Sequence, residues 1–190
     1  MATASNHQSH PQPSIWRSSR LSLSPLQQSD LPFLQAVFSD SPTLRFYLPT
    51  LWRTFTPEQT AALLADWNNG ESDMVLTIRQ LSDQRILGLL NIDEIDWTAR
   101  NAEIGLALLT DARGYGYAEE ALRLLINYLF NEWGFHRVYA RIQADNQPSL
   151  HLFSKLGFKP EGRLREQLRR QGQMVDLTFW GLLENEWTLT

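Results

Sequence analysis

Cysteine is absent from this chain of 190 residues. Its absence excludes a disulfide scaffold, a thiolate nucleophile, an iron–sulfur cluster and a cysteine zinc site. Histidine is sparse: of the four, His7 and His10 lie in a polar stretch at the start, so no histidine metal site is expected. No apolar run approaches the roughly 20 residues needed to cross a bilayer. The opening residues, MATASNHQSHPQPS, lack the basic and apolar regions of a secretory signal. They are rich in Ser and carry no acid before Asp30, as organelle transit peptides do, but a disordered polar tail over 1–14 is the preferred reading. A cytoplasmic place is expected. Charge of one sign is lacking as well: 17 basic against 21 acidic residues leave a net charge of −4. That field does not favour a polyanion, so neither DNA nor a membrane is an expected partner. It suits a cationic or amine-bearing one.

What is present is an ordinary globular balance, 43% apolar and 20% charged, over a length that favours one domain, placed at 15–190. Ile15 to Leu23 alternates loosely and is a candidate first strand. Ser29-Asp30 ahead of Leu31, Leu34, Val37 and Phe38 reads as a capped amphipathic helix, broken at Ser41-Pro42. Phe46, Tyr47, Trp52 and Phe55 make an irregular aromatic stretch. Thr56-Pro57-Glu58-Gln59 starts a second helix, with a cap, Pro at the first position and acid in the first turn; Asn69-Gly70 ends it.

The period then falls from 3.6 to 2. Strands over Met74 to Arg79, Ile86 to Ile95 and Ala102 to Leu109 follow with short connections, which implies antiparallel pairing. Tyr117 to Trp133 is a long helix, with Gly134 suited to its end. His136 to Gln143 is a strand, Asn146 caps a short helix that Gly157 closes, and Leu164 to Leu168 with Val175 to Leu183 form a hairpin around Gln171-Gly172. The order is α+β with one mixed central sheet.

One segment carries chemistry: a strand from Ala102 feeds through Arg113-Gly114-Tyr115-Gly116 into a helix at Tyr117-Ala118-Glu119-Glu120. The first N–H groups of a helix lack intrahelical partners and hold the positive end of its dipole, and glycines let a phosphate approach the backbone. The loop fails two phosphate templates: no Gly-Lys-Ser or Gly-Lys-Thr occurs, and Glu119 stands where a dinucleotide fingerprint needs a third glycine. A plain helix start with turn glycines fits these residues equally well.

Arg113-x-x-Gly116-x-Ala118 resembles the Gln/Arg-x-x-Gly-x-Gly/Ala loop of the GCN5-related N-acetyltransferases (GNAT), which wraps the pyrophosphate of acetyl-CoA. Asn146-Gln147-Pro148-Ser149-Leu150-His151-Leu152-Phe153-Ser154-Lys155-Leu156-Gly157-Phe158 is similar to that family's second acetyl-CoA motif, one strand further on. The ending, from Glu161-Gly162 to Glu186-Trp187, resembles the branch of ribosomal-protein alanine and spermidine acetyltransferases. The resemblance implies a three-layer α/β/α fold whose sheet is mixed and mostly antiparallel, with a V-shaped splay between its two central strands. It implies acetyl-CoA as co-substrate, no metal, and direct acetyl transfer to a primary amine: a protein N-terminus, a polyamine or a small amine.

The same resemblance assigns roles. The backbone of Leu106, Ala107 and Leu108 would bond the pantetheine arm, and an N–H there would hold the thioester oxygen as charge develops on it. Arg113, Gly114, Tyr115, Gly116, Tyr117 and Ala118 would hold the pyrophosphate, and Asn146, Ser149 and Phe153 would lie beside the cofactor. For Asn146, a helix cap is an equal reading. Glu103 is the candidate base for the amine proton, its strand face opened by Gly105 and Ala107; an exposed strand Glu is the alternative. Asp93 and Glu94 are candidate ligands of a cationic substrate, or merely a polar strand end. Many relatives carry Tyr where Phe153 stands, and Phe has no proton to donate. Ser149, or water, is the remaining donor, unless its hydroxyl bonds the helix backbone instead. The aromatic stretch falls where the family walls its acceptor cleft, although core packing explains it equally.

Two other functions compete. One is a non-catalytic acyl-CoA-binding module, favoured by Phe153. The other is a protein or RNA adaptor using Arg163, Arg165, Arg169 and Arg170, although Glu161 and Glu166 between them suit a solvated hairpin. The hairpin edge also offers a homodimer contact.

Overall fold

Alternation of apolar and polar residues sets the sheet. The computed structural model describes residues 16–39, 45–47, 55–69 and 71–188. The expected tail, the break at Ser41-Pro42, Trp52 and Gly70 lie outside them. The strands are β1 (Leu21–Pro25), β2 (Met74–Gln80), β3 (Ile86–Asp96), β4 (Asn101–Leu108), β5 (Arg137–Gln143), β6 (Lys159–Arg170) and β7 (Gln173–Leu183). The helices are α1 (Leu31–Ser39), α2 (Pro57–Trp67), α3 (Tyr117–Asn131) and α4 (Gln147–Lys155).

The seven strands lie in the order β1-β2-β3-β4-β5-β7-β6. Every neighbouring pair is antiparallel except β4 and β5. The parallel pairing stops after Asn101↔Arg137, Ala102↔Val138 and Glu103↔Tyr139, whereas β4 stays paired with β3 as far as Leu108 and β5 with β7 as far as Gln143. The two central strands therefore part from Ile104 onward, and the expected splay is present.

Side-chain alternation divides the core. Leu90, Ile92, Ile104, Val138, Ala140 and Ile142 face α3 and α4, whose Leu122, Leu125, Ile126 and Phe153 pack against them. Val75 and Leu89 face Leu34, Val37 and Phe38 of α1 on the other side. Each fully buried Leu or Ile contributes about 1.5–3 kcal/mol to this packing. α2 starts as its sequence demands: the Gln59 N–H donates to Thr56 Oγ1 and the Thr56 N–H to Gln59 Oε1, at 3.3 and 3.0 Å.

Three boundaries differ from expectation. β1 begins at Leu21, because the Ser18 hydroxyl oxygen accepts the Leu21 N–H at 2.9 Å and turns the chain there. α3 stops at Asn131, where the N–H groups of Glu132 and Trp133 both turn to the Tyr128 carbonyl ahead of Gly134 at φ 66°. The last hairpin is longer than 164–168 with 175–183: irregularities between Pro160 and Gly162 and between Leu164 and Leu168 break the alternation that marks a strand.

Candidate functional site

β4 organises the site at both of its ends. Beyond Leu108 the chain makes one short 3-10 turn and enters α3 through Gly114 and Gly116, at φ 84° and 80°. That left-handed backbone suits glycine, and a Cβ added at Gly114 would meet nothing within 4 Å, so the loop surface is open. Among the described residues no group of the chain accepts from the N–H groups of Gly114, Tyr115, Gly116, Tyr117, Ala118 or Glu119. Six consecutive donors without acceptors at a helix N-terminus can hold an anion.

The side chains around it are braced. Arg113 turns inward, its Nε and Nη2 donating to the Leu108 carbonyl at 3.2 and 3.0 Å. Tyr115, 63% exposed, stacks on Tyr117 at 5.8 Å. Two glutamates in the first turn of α3 would repel an anion, and both are neutralised. Lys155 on α4 meets Glu119 at 2.6 Å, with Arg123 at 3.2 Å, which holds the Glu119 carboxyl below its ordinary range. Arg20 pairs with Glu120 at 2.5 Å.

The other end of β4 is a carboxylate cluster on the face of α1 and α2. Glu103 lies opposite Asp93 in the antiparallel register, so the two side chains share a face. Arg141 of β5 makes ion pairs with Glu103 Oε2 and, at 2.9 Å, with Glu94 Oε1. The Tyr139 hydroxyl donates to Glu94 Oε2 at 2.6 Å. Tyr47 donates to Asn91 Oδ1 at 2.5 Å, and Asn91 Nδ2 donates to Asp93 Oδ2 at 2.9 Å.

Burial pushes the Asp93 carboxyl up to about 6. The Asn91 donor and the Arg141 charge oppose the rise, and the negative charges of Glu103 and Asp73 add to it. Burial likewise raises Glu103, against the pull of Arg141. Glu94 sits at φ 52° where the β3–β4 pairing slips, which swings its carboxylate across to β5. Glu94 and Glu103 thus share one guanidinium, Asp93 lies beside Glu103, and Asp73 adds negative charge at Asp93, an excess that can attract a cation.

The second motif flanks the splay from the β5 side. Asn146, only 8% exposed, caps α4 by accepting the Ser149 N–H at 3.3 Å. Among the described residues the Ser149 hydroxyl has no partner, so the helix backbone does not claim it. Phe153 is buried in the main core, edge-on to Phe158 at 4.9 Å. Leu106 is half-buried and Ala107 and Leu108 buried, on the stretch of β4 that has left β5. Tyr47 and Phe55 pack with Phe38 and Trp67 in the smaller core cluster. On the hairpin, Arg163 pairs with Asp176 at 2.5 Å. No three His, Asp or Glu among the described residues are placed to hold a metal. No helix among them is long and apolar enough to cross a membrane.

Sequence reasoning found Glu103, Asp93 and Glu94 but missed Arg141, Tyr139, Asn91 and Arg20. Arg141, Tyr139 and Arg20 have no local signal, since each acts on a partner elsewhere in the fold, whereas Asn91 reaches Asp93 two residues on along the same face of β3.

The family described as acetyltransferase (GNAT) domain matches residues 20–159. The chain is 28% identical over 173 residues to an uncharacterized N-acetyltransferase p20 of Bacillus licheniformis, covering 88% of this chain and 95% of that one. It is 30% identical over 126 residues to the putative ribosomal N-acetyltransferase YdaF of Bacillus subtilis, covering 66% and 69%. It is 22% identical over 169 residues to a spermidine N(1)-acetyltransferase of Vibrio cholerae, covering 89% and 96%. The crystal structure of spermidine N-acetyltransferase from Vibrio cholerae in complex with CoA and spermine shares the fold at TM-score 0.82 and 21% identity, covering 89% of this chain and 98% of that one.

Proposed function

The chain belongs to the GNAT acetyltransferase family, and on that premise we propose that its single domain, over 15–190, moves acetyl directly from acetyl-CoA to the primary amine of a small cationic acceptor. The observation that carries this reading is the run of six N–H groups, Gly114 to Glu119, without acceptors in the described chain, placed where β4 parts from β5. A diphosphate needs such donors, and a slim pantetheine arm needs such a slot. The residues therefore fit acetyl-CoA, which supplies a thioester carbonyl open to attack by an amine.

The chain's own groups then have defined tasks. The amides of the 114–119 loop grip the diphosphate, and the backbone of Leu106 to Leu108 aligns the arm. Asp93 and Glu94 draw the protonated amine. Only a neutral amine attacks, so Glu103 takes its proton, its raised affinity serving that step. Asn146 lies beside the arm, and Ser149 or a water protonates the departing sulfur. With no cysteine in the chain, direct transfer within a ternary complex replaces a covalent acetyl carrier. The negative excess favours a polyamine over a protein N-terminus, and relatives named spermidine acetyltransferases support that order.

Calorimetry with acetyl-CoA tests the cradle, and thiol release with spermidine, spermine, monoamines and an N-terminal peptide tests the transfer. Saturable heat and release ranked by acceptor charge are expected. No heat removes the cradle, and heat without release from any amine leaves a binding module.

A further inference from the structure

We propose that Arg20 is a positioning residue for the cofactor's diphosphate, aiming the Gly116 amide into the cradle. This rests on the acetyl-CoA reading above. Arg20 precedes β1, far from either acetyl-CoA motif in sequence. Its guanidinium nevertheless makes a closed set of bonds at the loop. Nη1 donates to the Tyr115 carbonyl at 3.0 Å, Nε and Nη2 donate to Glu120 Oε2 at 2.8 and 2.5 Å, and the charge lies 4.8 Å from the Tyr117 ring centre. The Ser18 hydroxyl also donates to Glu120 Oε1.

The consequence follows from peptide planarity. The Tyr115 carbonyl and the Gly116 N–H belong to one trans peptide, so they point in opposite directions. Fixing the carbonyl on Arg20 turns the amide away from Arg20, toward the open side of the loop. Gly116 at φ 80° is a left-handed glycine, a residue type that rotates freely when nothing fixes it. Arg20 removes that freedom before the ligand arrives, which lowers the ordering cost of binding. The same guanidinium cancels the Glu120 charge that would oppose a diphosphate.

The fork geometry matters as much as the charge. A Lys presents one ammonium and cannot hold the carbonyl and the carboxylate in fixed directions together. The test compares coenzyme A affinity by calorimetry with kinetics on two donors, acetyl-CoA and S-acetylpantetheine, which lacks the diphosphate. For Arg20→Gln, the coenzyme A Kd is expected to rise roughly tenfold, the scale of a lost charge-assisted contact. The fall in kcat/KM with acetyl-CoA should exceed the fall with S-acetylpantetheine by a similar factor. Arg20→Lys should recover little of the affinity.

An unchanged Kd in Arg20→Gln overturns the proposal, as do equal losses with both donors, which would mean a purely structural tether. If Arg20→Gln does not fold, Arg20→Lys decides: wild-type affinity there overturns it. Failure of the wild-type chain to bind coenzyme A at all would instead sink the acetyl-CoA reading.

Discussion

The two ends of β4 solve different problems with different materials. Past Leu108, the anion cradle is made of backbone: six amides, two left-handed glycines and a helix start. Its side chains only brace or neutralise. At Glu103, the cluster is made of side chains from β3, β4 and β5 and of Tyr47, joined by ion pairs and hydrogen bonds. The backbone site gains its charge from dipoles and needs no buried ionised group. The side-chain site buries carboxylates and raises their proton affinity, which is what a proton acceptor needs and what a stable fold avoids. The proposed function gives cofactor binding to the first end, and proton transfer with acceptor choice to the second.

The sharpest way to break this division is Glu103→Gln. Gln keeps the shape and can still accept from Arg141, but it takes no proton from an amine. Turnover should fall roughly 10²-fold or more at neutral pH, while coenzyme A affinity stays at the wild-type value. A loss of affinity would show that the two ends are not separable. Unchanged turnover would remove Glu103 as the base.

The converse change is Gly116→Val. A β-branched residue at φ 80° is strained by about 1–3 kcal/mol, and relief of that strain turns the amides out of the cradle. Coenzyme A affinity should fall roughly 10- to 100-fold, read by calorimetry. The kcat at saturating donor should fall much less. A larger effect on kcat than on affinity would mean that the loop also shapes the reacting end.

The same contrast explains what the sequence reveals. Gly114, Gly116 and Asn146 act within a few residues of their own positions, so their spacing marks a glycine turn into a helix and a cap, and the family resemblance makes that turn a candidate cradle. Glu103 is visible because Gly105 and Ala107 leave its strand face open. Its setting is not visible. Arg20 meets a carbonyl 95 residues away, Tyr47 a side chain 44 away, and Arg141 a carboxylate 47 away. No local period encodes such distances; the sheet register creates them. The antiparallel pairing of β2, β3 and β4 is legible in the sequence, since they follow through short turns. The length of β6 is not, because its irregularities interrupt the alternation.

Asp93 offers a measurement of what the side-chain site costs. Its carboxyl ordinarily titrates at 3.8 and here at about 6, so between those values the folded chain keeps a proton that the unfolded chain has released. Stability therefore falls as pH rises through that window, and stays lower above it, by about 2 kcal/mol for a partly solvated group. Asp93→Asn is neutral and nearly isosteric and escapes the fall. Urea denaturation should find the two proteins alike near about pH 3.5 and the variant more stable by about 2 kcal/mol near about pH 7. The variant's KM for a cationic amine should rise at neutral pH, with its coenzyme A affinity untouched. Equal stability at both pH values would mean that Asp93 is effectively solvated and that the cluster carries no strain.

The smallest effect is expected at Tyr47→Phe. The ring stays, edge-on to Trp67 at 6.3 Å, so packing changes little. The hydroxyl that holds Asn91 Oδ1 goes, and the loss of that hydrogen bond should cost about 1 kcal/mol of stability. Its second consequence is more telling. With its oxygen released, the Asn91 amide no longer presents Nδ2 steadily to Asp93, and that donor is the contact that most opposes the rise of the Asp93 carboxyl. The charges around Asp93 are otherwise unchanged: Glu103 on β4 and Asp73 ahead of β2 keep raising it, and Arg141 on β5 keeps lowering it. The Asp93 titration should therefore move upward, by at most about one pH unit for a single hydrogen bond. The pH at which KM for a cationic amine begins to climb on acidification should move with it. Because Gly114 to Glu119 share no group with this relay, the coenzyme A affinity of Tyr47→Phe should match wild type at every pH. A coupled change in both would tie Tyr47 to the cradle as well as to the acceptor.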